Sequence, residues 1–238
     1  MSDYFILTKQ NNSDIGNDTT NQIIYVKDKV YILPKNNINY YINNGLFEKG
    51  LIEWCKQFCK KDKNILDIGA HTGTYTISLA EYCNKIYAFE PQQMTFYSLC
   101  GSVALSNIKN VVCLQCGLGT TEQAGKQKLN IVSLDGGGSS LHTDNENKIL
   151  YTEDIEMRTL DSFKIDNISF IKMDVENNEL QVLLASENTL RRSNYPKILF
   201  EMNQTNTDLI SFLDRINYNI IQVGGSTNMF LAVNKFNT

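Results

Sequence analysis

Asn64-Ile-Leu-Asp-Ile-Gly-Ala-His-Thr-Gly73 carries the reading of the fold. Its opening residues form a short apolar strand that Gly69 stops. Thr74 to Cys83 then places Tyr75, Leu79, Ala80 and Cys83 on one helical face. The same unit follows downstream. Lys85 to Glu90 reads as a second strand ended by Pro91, residues 92–106 as a helix weakened at Gly101, and Asn110 to Cys116 as a third strand.

Residues 117–163 break the rhythm, with candidate strands at Lys126–Val132 and Ile155–Leu160 around the flexible loop Leu134-Asp-Gly-Gly-Gly-Ser-Ser-Leu141. The alternation resumes with a strand at Ile168–Asp174, one helix over Asn177–Leu190, a strand at Lys197–Met202 and a helix over Thr207–Asn217. Tyr218–Val223 and Asn228–Val233 close as a hairpin. Strands separated by helices over short loops predict an α/β, mostly parallel sheet covered on both faces. Upstream, polar residues 1–22 predict a poorly ordered start, Gln22–Leu33 a β-hairpin with Lys27-Asp-Lys29 near its turn, and Leu46–Cys59 a helix. No linker divides the chain.

Composition narrows the functional classes. The 238 residues carry 22 basic and 26 acidic side chains, a formal charge of −4, which disfavours a nucleic-acid partner. Asn (28) and Ile (24) far outnumber Ala (7), a codon bias that fits an AT-rich genome such as a large DNA virus or an AT-rich microbe. No apolar run approaches the roughly 18 residues of a membrane span. Met1-Ser-Asp-Tyr-Phe-Ile-Leu-Thr-Lys9 lacks the pattern of a signal peptide, so a cytoplasmic location is expected, the host cytoplasm if the source is viral. The six cysteines read as reduced thiols, and Cys113-Leu-Gln-Cys116 has no second pair with which to bind zinc.

Ligands of an open parallel sheet bind beyond the carboxyl ends of its strands. The first loop has G-x-x-x-G spacing between Gly69 and Gly73, and His71 and Thr74 occupy positions where a dinucleotide site wants glycine. Glu90, at the second strand end, is a carboxylate able to accept both ribose hydroxyls. Together these favour an adenosine ligand without pyrophosphate, S-adenosylmethionine. Lys172 and Asp174 lie two apart on one strand and face the same side.

Asp67-Ile-Gly-Ala-x-x-Gly73, Phe89-Glu-Pro91, Gly138-Ser-Ser-Leu141, Arg158-Thr-Leu-Asp161 and Ile171-Lys-Met-Asp-Val-Glu176, with Glu179, resemble the FkbM family of S-adenosylmethionine-dependent methyltransferases. The resemblance runs from about residue 45 to about residue 233. It implies a Rossmann-like, seven-stranded class I methyltransferase sheet; the C-terminal antiparallel hairpin and, upstream, the N-terminal β-hairpin and helix are read from the pattern. Residues 1–45 are then an N-terminal extension and 46–238 the methyltransferase domain. It also implies methyl transfer to a hydroxyl, often of a sugar or polyketide. By motif match, Asp67, Gly69, Ala70 and Gly73 hold the cofactor's amino-acid end, Glu90 its ribose, and Lys172, Asp174 and Glu176 face the reaction centre. Two positions depart from the family pattern: Asn177 replaces the usual glycine, and Gly101-Ser102 replaces a typical asparagine. Asn adopts positive φ at modest cost, so the turn can survive.

The remaining candidates complete the site. His71, Tyr75, Pro91, Gln115 and Asp174 are expected beside the cofactor. Asp174, with Lys172 next to it, is the leading candidate for assisting the acceptor hydroxyl. Glu176 is either a reaction-centre group or a helix cap, Glu201 a substrate or metal ligand, and His142 a base or lid contact. Asp135-Gly-Gly-Gly138 is a candidate lid. A divalent ion on Asp174 and Glu201 remains open. The expected function is O-methylation of a small molecule, a sugar, nucleotide sugar or glycan. An RNA 2′-O-methyltransferase, a nicotinamide-dependent reductase and a non-catalytic cofactor-binding module are the rivals. Residues 1–45 are expected to cover the acceptor site or contact a second copy of the chain.

Overall fold

A computed structural model of the chain describes residues 4–7, 29–142 and 148–236. It begins with β1 (Tyr4–Leu7) and β2 (Tyr31–Pro34), then α1 (Ile38–Asn44) and α2 (Lys49–Cys55). The alternating region follows as β3 (Asn64–Ile68), α3 (Thr74–Leu79), β4 (Lys85–Phe89), α4 (Gln93–Leu105) and β5 (Val111–Leu114). A short insertion comprises β6 (Gly117–Leu118), β7 (Gly125–Ile131) and β8 (Tyr151–Arg158). The chain continues through β9 (Ile168–Met173), α5 (Glu179–Leu184), α6 (Glu187–Arg192), β10 (Lys197–Glu201), α7 (Thr207–Arg215), β11 (Tyr218–Gln222) and β12 (Met229–Asn234).

Seven strands form one sheet in the order β5-β4-β3-β9-β10-β12-β11. β12 runs antiparallel to both neighbours and the other adjacent pairs are parallel. This is the class I methyltransferase sheet that the strand-helix alternation and the family resemblance imply.

All five residues of β3 are buried because both faces of the sheet are covered. The two-residue alternation of a strand divides them. Leu66 and Ile68 pack with Phe89, Ile171 and Met173 under α5, α6 and α7, whereas Ile65 packs with Ile86, Ala88 and Phe170 against α2, α3 and α4. Asp67 shares the second face and stands level with Lys172 across the β3–β9 pair.

The N-terminal part differs from the reading of the sequence. The first arm of the expected 22–33 hairpin, residues 22–28, lies outside the described residues. Its second arm, β2, pairs antiparallel with β1, so a stretch of the start predicted to be poorly ordered is a strand. Tyr4-Phe-Ile-Leu7 is a run of strand formers set in polar sequence, and pairing with β2 realises that preference. Beyond β2, α1 forms where no helix was expected, and α2 begins only at Lys49 because Glu48 is left-handed (φ +53°).

β2 lies on α4 through side chains. Val30 N–H donates to Ser106 Oγ (2.8 Å) and Ile32 N–H to Ser102 Oγ (2.9 Å). A β-carbon at Gly101 would stand 2.5 Å from Ile32 Cδ1. Gly101-Ser102, the departure from the family pattern, is therefore where this chain seats its N-terminal strand.

The single helix expected over 177–190 is two helices. Ser186 Oγ donates to Leu183 O (2.9 Å) at the break. Asp161, far upstream, caps α6 by accepting from the backbone N–H of Asn188 (3.2 Å) and Thr189 (2.7 Å) and from Thr189 Oγ1 (2.7 Å). Arg191 and Arg192 fall in the last turn of α6, as read from the sequence. Asp161→Ala is expected to cost about 1–2 kcal/mol, read as a fall in Tm of about 3–6 °C by calorimetry.

In the insertion, β7 and β8 are antiparallel from Gly125↔Met157 to Ile131↔Tyr151, close to the two strands expected there. Among the described residues no helix is long and apolar enough to cross a membrane.

Candidate active site

The carboxyl ends of β3, β4 and β9 open into a cleft of about 320 Å³. One wall is the loop after β3. Gly69 and Ala70 N–H both donate to Phe89 O (3.0 and 2.9 Å), which ties this loop to the end of β4. Gly69 has φ +73°, and a β-carbon there would overlap the Asp174 carbonyl. Only glycine lets the ends of β3 and β9 approach this closely.

Glu90 lies in the same wall and is buried. Its Oε1 accepts from Gln92 N (2.9 Å) and Thr95 Oγ1 (2.9 Å), and Oε2 accepts from His71 N (2.8 Å). Burial raises its pKa above the ordinary carboxylate value, against the pull of His71 and these donors. Cys116, Leu118, Leu129, Ile155 and Met157 add apolar lining to the cleft. A glycine turn, a carboxylate and apolar lining fit S-adenosylmethionine, with the acidic lining matching its sulfonium charge.

The other side of the cleft is charged. Lys172 is 5% exposed, and its Nζ donates to Gly69 O (3.3 Å) and Asp174 Oδ2 (3.3 Å) and lies 5.2 Å from the Tyr75 ring centroid. Burial opposes its charge, but Asp174, Asp67 and Glu48 overcome this and raise its pKa. Asp174 is held below the usual carboxylate range: Lys172 and a hydrogen bond from Glu201 outweigh its burial. Glu201 is pushed up to about 8 by burial and by the Asp174 charge. The two carboxyls thus hold one proton between them at neutral pH. Glu176 is raised by burial and Asp174, although Gly138 N donates to its Oε1 (3.0 Å).

Oxygens of Asp174, Glu176 and Glu201 lie within 4.8 Å of one another. These three could hold a divalent ion, so Glu176 joins the two ligands named from sequence. Asn177 has φ +72°, the conformation expected for the replaced glycine.

The glycine loop lies across the mouth. Asp135 accepts from Asn36 Nδ2 (2.7 Å), Asn37 Nδ2 (3.2 Å) and Gly137 N (3.1 Å), while His71 Nε2 donates to Asp135 O (2.5 Å). Ser140 Oγ donates to Glu176 O (3.0 Å). The candidate lid is therefore docked on both sides of the cleft.

Gly69, Ala70, His71, Tyr75, Glu90, Pro91, Lys172, Asp174 and Glu176 all line the cleft. Asp67 does not: it lies beneath, taking a hydrogen bond from Thr76 Oγ1 (2.5 Å), with Oδ1 buried and unpartnered. Gly73 caps α3 against Leu99 outside the cleft lining. Gln115 and His142 are exposed and stand outside it too, and Glu201 reaches the site only through Asp174 and Glu176. Sequence reasoning missed Asn37, Tyr41, Phe47, Glu48, Asp135 as a tether, and Asn178. None lies at a strand end, the one signal used to find the others.

Glu179, at the head of α5, is 5% exposed, and burial pushes it up to about 7. Its folded pKa lies above the unfolded one, so the folded state binds the extra proton. Stability is then full at acid pH and is lost as pH rises toward about 7. Glu179→Gln is expected to remove that slope and to stabilise the protein at pH 8 by roughly 2–3 kcal/mol. Urea melts at pH 5 and pH 8 check it.

The model of the methyltransferase FkbM domain family matches residues 67–220. A solved FkbM methyltransferase from Methylobacillus flagellatus superposes with a TM-score of 0.53 at 17% identity, covering 72% of this chain and 44% of that one. A Streptococcus mutans structure described as a methyltransferase, in complex with SAH, gives 0.50 at 14% identity, covering 77% and 95% of the two chains. In sequence, a tRNA/tmRNA (uracil-C(5))-methyltransferase from Campylobacter lari is 29% identical over 122 residues, 48% of this chain and 35% of that protein. The chain thus spans about a third of the length of that curated relative. With the family match extending over more than half of its residues and the sheet order that this match requires, the chain belongs to the FkbM family of S-adenosylmethionine-dependent methyltransferases.

Proposed function

We propose that the chain transfers the methyl group of S-adenosylmethionine to a hydroxyl of a small uncharged acceptor, a sugar or glycan. The observation that carries this reading is the charge of the cleft. Glu48, Glu90, Asp135, Asp174 and Glu176 line it, against Lys172 as the one lysine among the described lining residues. A lining of that sign repels phosphate, so it favours a neutral hydroxyl acceptor over a nucleic acid or a nucleotide sugar.

When bound, S-adenosylmethionine supplies an electrophilic methyl group on a sulfonium and leaves as S-adenosylhomocysteine. The chain's own groups do the rest. Asp174 accepts the proton that the acceptor hydroxyl gives up. Lys172 keeps Asp174 ionised and aimed, tied at the same time to the Gly69 carbonyl. Glu201 holds the neighbouring proton. The docked glycine loop limits water at the reaction centre. A divalent ion on Asp174, Glu176 and Glu201 would instead acidify the hydroxyl directly.

An RNA acceptor is the second reading, favoured by the RNA methyltransferase relative. Incubation with methyl-labelled cofactor and a panel of neutral glycans, nucleotide sugars, peptides and capped RNA separates the readings. Label is expected in a neutral glycan. Label only in RNA, with salt-sensitive binding, would replace the acceptor. Cofactor binding without label in any acceptor would leave a binding module.

A further inference from the structure

We propose that the N-terminal segment supplies the acceptor-binding wall, and that Glu48, beside Tyr41 and Phe47, is a specificity-determining residue that binds a polyhydroxylated ring. This rests on the acceptor class proposed above.

Three observations carry it. First, the cleft has two walls of different origin. The glycine turn, Glu90 and the Lys172–Asp174 pair come from within the family match at residues 67–220, whereas Asn37, Tyr41, Phe47 and Glu48 come from outside it. The matched residues supply the cofactor side and the Lys172–Asp174 reaction centre, which leaves the stretch ahead of the match, residues 37–48, to face the rest of the acceptor. Second, this wall is firmly mounted. Tyr31, Leu33, Tyr41, Leu46 and Ile77 form a buried cluster, and Tyr31 Oη lies 2.9 Å from Ser78 Oγ.

Third, the Glu48 side chain lines the cleft and is turned to Tyr75, not to the start of α2. Glu48 precedes α2 with φ +53°, yet its side chain makes no cap hydrogen bond. Its Oε2 instead accepts from Tyr75 Oη (2.9 Å), the ring that also faces Lys172. Glu48, Tyr75, Lys172 and Asp174 thus line one wall from the N-terminal segment to the reaction centre. The chemistry suits a sugar. The half-buried Phe47, stacked on Tyr40 (4.0 Å, 12°) and edge-on to the buried Tyr41 (5.0 Å, 77°), adds an apolar edge to the cleft lining, and a carboxylate accepts from sugar hydroxyls.

The test uses the full chain saturated with S-adenosylhomocysteine and a mixture of neutral methyl glycosides, read by saturation-transfer NMR. The wild type is expected to give a signal, and Glu48→Ala to weaken that binding about 10- to 100-fold with cofactor affinity unchanged. Glu48→Gly keeps the loss of binding but relieves the left-handed strain, so its Tm is expected to lie about 2 °C above that of Glu48→Ala. A purely structural role would lower Tm yet leave glycoside binding intact, which would overturn the inference. Equal weakening of cofactor and glycoside would overturn it as well. Transfer of label to RNA alone in the panel above would show the acceptor reading to be at fault. Glycoside signals that survive in Glu48→Ala, beside a labelled glycan, would overturn only the wall.

Discussion

Asp174→Asn is expected to lower turnover by about 10²–10⁴-fold while changing cofactor affinity by no more than about threefold. The amide is nearly isosteric with the carboxylate but accepts no proton at neutral pH. Positioning of the two substrates, which supplies about 7–11 kcal/mol in favourable cases, is left in place. The residual rate therefore measures positioning alone. Loss of the Asp174 charge also leaves Lys172 facing Asp67 and Glu48 as its remaining carboxylates, which lowers stability, so calorimetric titration with the cofactor confirms that the variant is folded. Retained turnover would remove Asp174 from the reaction. The wild-type rate should also depend on pH in a defined direction. Glu201 releases its proton near pH 8, which places a second negative charge beside Asp174 and makes it the stronger acceptor. The rate is expected to rise through that pH, and Glu201→Gln to abolish the rise.

Gly69→Ala is the second large effect. The added methyl group meets backbone, the carbonyl of Asp174, and not the end of a flexible side chain that could turn away. It also forces a residue with a β-carbon into φ +73°. Overpacking and left-handed strain together cost about 2–5 kcal/mol, a fall in Tm of roughly 6–15 °C. Since the displaced carbonyl belongs to the residue that meets Lys172, cofactor affinity and turnover should fall together. Gly50→Ala is the control: within α2, with nothing inside 4 Å of its new β-carbon, it is expected to be neutral or mildly stabilising. Equal melting curves for Gly69→Ala and the wild type would refute the close approach.

Much of the sheet was legible from local pattern. Ile65, Leu66 and Ile68 are apolar because both faces of β3 are covered, and a glycine stops the strand where two chain segments nearly touch. The same logic found Glu90, Lys172, Asp174 and Glu176, all at strand ends beside the cleft. Asn177 at positive φ and the arginines ending α6 also follow from local chemistry.

The rest depended on partners distant in the chain. The break between α5 and α6 is set by Asp161, whose carboxylate satisfies the amides that start α6. Gly101-Ser102 looks like a defect in a helix until β2 is seen lying on it. Asp67 reads as a cofactor ligand by motif, yet it is buried beneath the cleft, on the sheet face it shares with Lys172, and is engaged by Thr76 from α3. The amino-acid sequence by itself determined the α/β framework and the cofactor class, because periodicity and strand-end chemistry are local. Only the tertiary structure decided which residues close the cleft. Glu48, Asp135 and Tyr41 acquire their roles by approach across long sequence separations, and no periodic pattern encodes such an approach.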